Sequence, residues 1–272
     1  SAPHLISPTS FPLVDNHVLL LFAYAFAAVF FLSNTVGLLN SKEKDIRPDM
    51  WTAACNGLFL LTWIMSAAPK DWQSLIISAW MIVFAVGAYL LSLRTQKREP
   101  FLVYAGVGIA MLAAATFAEL DGAALTITYI FEGGVIPLLG YFILHNIKIS
   151  QRLCLLLIGP VILSLKNFSS RAWMTHVIHE DFFVLFILGS FLLGLGLFFY
   201  HLLRIHKEKD KSIHQFTIDL FILGSIYAFA LLWLSLHAFF INDQTAVLIS
   251  LVIYTLVGLT AYFYGLAHAK NI

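Results

Sequence analysis

Apolar runs of helical length repeat along the chain, separated by short polar connections. Nine such runs span Asn16–Leu39, Trp51–Ala68, Ser74–Leu93, Phe101–Phe117, Ala123–Leu144, Leu153–Leu165, Phe182–Leu203, Phe216–Phe240 and Thr245–Ala267. Most hold about 17–25 residues, the length that crosses a hydrocarbon core of about 30 Å as a helix. Leu153–Leu165 is the exception. It is short and contains Pro160, so it either continues into the polar residues after it, tilts, or re-enters. The pattern predicts an all-α polytopic helix bundle with nine transmembrane spans, sequential helices being antiparallel neighbours.

The basic residues order these runs. Lys42, Lys44 and Arg47; Arg94, Lys97 and Arg98; Lys148 and Arg152; Arg204, Lys207, Lys209 and Lys211; and Lys270 fall on alternate connections. Only Lys70, Lys166 and Arg171 of the 16 Lys and Arg lie on the other side. Positive residues collect on the cytoplasmic face, which predicts an outside amino end, an inside carboxyl end and an inner-membrane location. The alternation requires the sixth run to cross. Residues 1–15 form an external segment without Lys or Arg, and 16–272 form one transmembrane domain. The start at Ser1 and the close ending at Ile272 lead us to expect a piece of a longer chain.

Composition agrees with this class. Sixty per cent of residues are hydrophobic and 11% charged, and the net charge of +1 offers no surface for nucleic acid. Cys55 and Cys154 lie inside runs and read as small buried hydrophobes, with no CxxC pair. Membrane lipids are the expected surroundings, with a membrane-protein partner or a second copy of the chain as further contacts. Gly106, Gly108, Gly189, Gly194 and Gly196 are candidate packing positions. Leu125–Ile149 also overlies Leu248–Ile272 at a constant offset that matches Tyr141 to Tyr264 and His145 to His268.

The sharpest candidate for chemistry is Glu132. It lies near the middle of its run and is followed by Gly133, Gly134 and Pro137, with Tyr129 one turn before. An ionised side chain at that depth costs about 2.5–3.5 kcal/mol on insertion scales, so it is protonated, paired or faces water. Pro137 removes the amide that would bond the carbonyl of Gly133, and a kinked or broken helix beside an acid suits a proton- or solute-coupled site. Thr126, Thr128, Tyr129, Asn34, Asn56 and Thr62 are its candidate partners. Asp219 reads as a first-turn cap or an interface residue. The connection before the seventh run offers His176, His179 and Glu180, which would share a face if helical and could then present ligands to a zinc-like ion. Histidines at span ends, and the absence of a lysine inside a late run, give no haem or retinal site, and no cofactor is expected.

The stretch Glu119–Leu144 resembles a large bacterial family of polytopic membrane proteins known only as a domain of unknown function. A small-residue run, Leu120-Asp121-Gly122, an aromatic three residues before Glu132-Gly133, and Leu139-Gly140 closing toward a basic loop carry the likeness. The family's usual Trp-Ala-Leu-Glu-Gly stands here as Tyr129-Ile-Phe-Glu132-Gly133. The resemblance extends over about 100–272 and implies a membrane bundle and a longer parent chain, with no activity attached. Transport, or handling of a lipid or small solute around Glu132, is the leading functional expectation. A scaffold subunit and a membrane-embedded metal enzyme are the alternatives.

Overall fold

Within a span the backbone must satisfy its own hydrogen bonds, and every regular element described is helical. The computed structural model describes residues 16–40, 47–94, 99–206, 210–240 and 242–269. Its helices are α1 (Asn16–Asn40), α2 (Arg47–Ala67), α3 (Lys70–Arg94), α4 (Glu99–Glu119), α5 (Gly122–Leu144), α6 (Ile147–Leu153), α7 (Ile158–Phe168), α8 (Glu180–His206), α9 (Lys211–Phe239) and α10 (Asp243–Ala269). Two 3₁₀ turns, Cys154–Leu157 and Arg171–Met174, lie before and after α7. Among the described residues nine helical stretches are long and apolar enough to cross a membrane, with Ile147–Phe168 counting as one. They fit an integral, multi-pass membrane protein.

The sixth stretch is longer than its apolar run. It is helical from Ile147 to Phe168, so Lys148, Ser150, Gln151 and Arg152 belong to it. Its 3₁₀ turn ends three residues before Pro160, whose missing amide interrupts regular α-helical bonding there.

The contacts divide the chain after Leu120 into two units, where the sequence reading drew no boundary. In the first unit, α3 packs most extensively on α4, α1 on α2, and α2 on α4. Phe31, Phe84 and Tyr104 form an aromatic cluster with ring centroids 5.2–5.8 Å apart. The buried hydroxyls of Thr35 and Tyr104 pair at 3.1 Å. Asn34 Nδ2 donates to the carbonyl of Asp49, and Asn56 Nδ2 to that of Ala27, each at 3.1 Å. Gln73 Nε2 caps the end of α2 by donating to the carbonyls of Ile64 and Met65.

In the second unit α8 is the central helix. Val184, Leu185, Leu188, Leu192 and Phe199 are sealed, and α5, α7 and α9 pack on it. Tyr227 of α9 pairs with Ser164 of α7 at 2.6 Å. α10 packs on α9 and leaves most of its side chains exposed. The offset match between α5 and α10 does not extend to their ends. His145 leaves α5 in the left-handed conformation, whereas His268 is still inside α10. Outward faces carry large apolar side chains such as Phe22, Phe26, Val29, Leu139 and Leu256, a surface that costs nothing against lipid tails.

Candidate functional site

α5 places Glu132 eleventh among its 23 residues, half-buried, between the exposed Phe131 and the buried Gly133 and Gly134. The helix is not broken. It runs uninterrupted from Gly122 to Leu144 with Pro137 inside it. Local packing accounts for the small residues. A Cβ on Gly133 would stand 3.0 Å from Leu157 Cδ2, and one on Gly134 would overlap the ring of Phe191. The glycines let the 3₁₀ turn and α8 approach the α5 backbone closely. Ser150 then donates to the Pro137 carbonyl at 2.6 Å, and the Cys154 thiol approaches the Ser150 carbonyl at 3.6 Å. The first bond ties α6 to α5 at Pro137, and the second lies within α6 and its 3₁₀ extension.

Tyr129, one turn before Glu132, is half-buried and interacts with it electrostatically. Most of the other partners suggested by sequence bond elsewhere. Thr126 donates to Gly122 and Thr62 to Leu58, while Asn34 and Asn56 hold α1 to α2. Glu132 lines none of the cavities described below.

The connection between α7 and α8 departs from its expectation. Arg171–Met174 is a 3₁₀ turn, His176 to His179 is irregular, and Glu180 opens α8, so the three residues do not share a helical face. Among the described residues no group of three or more His, Cys, Asp and Glu side chains is placed to hold a metal ion. His179 instead caps α8. Its Nδ1 accepts from the amide of Phe182 at 3.1 Å, and its ring meets Trp173 edge-on with centroids 4.3 Å apart. Its Nε2 is buried without a hydrogen-bond partner among the described residues. Trp173 Nε1 in turn donates to the Asn167 carbonyl at 2.8 Å.

Two smaller expectations also change. Asp219 is not in the first turn, because α9 begins at Lys211. Asp210 is the cap, accepting from the Ser212 amide and hydroxyl, and Asp219 accepts from Gln215 Nε2 on an exposed face. Cys154 is buried as expected, while Cys55 is exposed.

Cavities mark the remaining candidates. A groove of about 670 Å³ runs between α1 and α2, walled by Phe22, Phe26, Phe30, Trp51, Phe59 and Trp63. Two polar crevices of about 260 and 230 Å³ lie at one end of the second unit and share Lys148 and Ile213. Sequence reading missed these crevices. Lys148 and Arg152 had counted only as topology signals, and the ion pair between Lys148 Nζ and Asp210 Oδ2 at 2.7 Å joins residues 62 positions apart. Comparisons of the chain with family models, with characterised proteins and with solved structures find no match.

Proposed function

We propose that the chain is a multi-pass protein of a bacterial inner membrane that moves or handles a lipid or small solute through protonation of Glu132. The amino end is placed outside and the carboxyl end inside, on the strength of the basic residues that gather on alternate connections. Kinship with the family that Tyr129–Gly133 resembles belongs to the same proposal and adds no substrate.

The observation that carries the proposal is the setting of Glu132: half-buried, at the middle of α5, with Gly133, Gly134 and Pro137 buried against neighbouring elements. A carboxyl in that place meets an apolar surface on one side and close backbone packing on the other. Gain or loss of one proton changes its transfer cost by several kcal/mol, enough to bias how α5 sits against the 3₁₀ turn and α8. Because α5 is continuous, the movement expected is a shift of a whole helix, with no hinge at a break.

The test is proton movement in proteoliposomes loaded with a pH-sensitive dye under an imposed potassium diffusion potential. Wild-type protein should change internal pH faster than empty vesicles, and Glu132→Gln should not. Equal rates in wild type and empty vesicles would remove the proton-coupled reading.

The tight contacts of Gly133 with Leu157 and Gly134 with Phe191 favour a second reading. In it α5 is a structural seam, and the protein is a scaffold subunit that presents its apolar faces to another membrane chain. Glu132→Gln would then leave proton movement unchanged.

A further inference from the structure

The crevice between the starts of α6 and α9 has the makings of a phosphate site, and it lies apart from Glu132. It is lined by Lys148, Gln151, Arg152, Leu155, Ser212, Ile213 and Phe216. Lys148 and Arg152 stand four residues apart on α6, so their side chains leave the same face of the helix. Both are exposed. The base beneath them is rigid: Gln151 is buried and its Nε2 donates to the Ile213 carbonyl at 3.0 Å and to Thr217 Oγ1 at 3.3 Å. Those bonds set the spacing between α6 and α9 and so the width of the crevice. Its volume of about 230 Å³ equals about seven to eight waters at ~30 Å³ each, room for a phosphate and part of its ester.

Charge and polarity are arranged unequally. Two cations stand with Gln151 and Ser212, while Leu155 and Phe216 supply apolar wall. Asp210 pairs with Lys148 at 2.7 Å, and the Arg152 guanidinium is a planar fork matched to phosphate oxygens. The second crevice, with His145, Asn146 and His206, shares Lys148 and Ile213 with this one.

We propose that this crevice binds a phosphate group, with Arg152 and Lys148 as its charged ligands and with Leu155 and Phe216 beside the apolar part of the molecule that carries it. Basic pockets between membrane helices at the interface hold anionic lipid headgroups in this manner. The same cations would take free phosphate, so the source has to be separated by measurement.

The experiment is native mass spectrometry of the full chain released from detergent. Dioleoyl phosphatidylglycerol, dioleoyl phosphatidylcholine and inorganic phosphate are each titrated alone. The variants are Arg152→Gln, Lys148→Gln and, as a control on another helix, Lys166→Gln. The result expected is at least fivefold tighter binding of phosphatidylglycerol than of phosphatidylcholine. That preference should fall fivefold or more in Arg152→Gln and in Lys148→Gln and stay intact in Lys166→Gln. Binding of inorganic phosphate alone with the same sensitivity would also support the site and would name the free anion as its source. Equal binding of the two lipids with no binding of inorganic phosphate would overturn the proposal, as would an Arg152→Gln protein that binds like wild type. Arg152 decides the matter because Lys148→Gln also breaks the ion pair to Asp210.

Discussion

The hydroxyl of Ser150 donates to the carbonyl of Pro137 across 2.6 Å, and both residues are buried. This bond joins the two proline-containing stretches of the second unit at the level where α6 meets α5. Interhelical hydrogen bonds of this kind contribute about 0.6 kcal/mol on average and up to about 1.7. Ser150→Ala should therefore lower stability by about 1 kcal/mol, read as the unfolding free energy in mixed micelles. A loss below about 0.2 kcal/mol would mean that the contact does not hold the stretches together.

Glycines on these helices fall into two groups that sequence spacing could not separate. Gly134 faces the Phe191 ring too closely for any Cβ, whereas Gly194 has no atom within 4 Å of a Cβ built on it. Gly134→Ala should cost about 1–3 kcal/mol through displacement of Phe191. Gly194→Ala should be neutral or stabilise by about 0.5–1 kcal/mol, the usual gain for alanine inside a helix. Thermal melts of the two variants in one detergent settle the contrast, and equal shifts would count against the packing described.

His179 caps α8, and its substitutions distinguish that role from a metal ligand. Asparagine is among the best capping residues and alanine among the worst. His179→Ala should lower stability by about 1 kcal/mol, His179→Asn should restore most of it, and zinc should leave the melting temperature of wild type unchanged. A zinc-dependent rise that vanishes in both variants would restore the ligand role.

The Asp210 carboxyl is pulled down from its ordinary value to about 2, chiefly by its hydrogen bond from Lys148, then by the Ser212 hydroxyl and amide. Its folded value lies below the unfolded one near 3.9, so its contribution is complete above about pH 4 and is lost as pH falls towards 2. Asp210→Asn keeps a good cap and removes the charge. Wild type should melt above the variant at pH 7, and the gap should narrow between pH 4 and pH 2. A gap independent of pH would show that the ionised pair is not its origin.

The spans were legible because a run of apolar residues long enough to cross a bilayer is a strong signal in any arrangement. The true length of the sixth was not. Ser150 is fully buried and Gln151 is 6% exposed, yet both count as polar in a sequence. Hydropathy records a side chain's type and cannot see that Pro137, Ile213 and Thr217 supply its partners. The cap at His179 was hidden for a related reason, since the helical spacing assumed for His176, His179 and Glu180 does not exist. Glu132 was found because an acid stands out in an apolar run. Whether Gly133 and Gly134 loosen α5 or pack it was decided by Leu157 and Phe191, which lie 24 and 57 positions further along the chain from each.

Accessibility of Glu132 gives the last prediction. The carboxyl is half-buried at mid-span, next to the exposed Phe131, so a reagent dissolved in the bilayer can reach it. Dicyclohexylcarbodiimide partitions into lipid, where a protonated carboxyl gives its proton to a carbodiimide nitrogen and adds through oxygen to the central carbon. Mass spectrometry of the digested protein locates the acylurea adduct. Wild type should carry the adduct on Glu132, and Glu132→Gln should lack it while Asp219 keeps whatever label it has. A protein labelled at Asp219 but not at Glu132 would mean that packing seals the carboxyl from lipid. The acid would then be a structural group of α5, and the seam reading would displace the proton-coupled one.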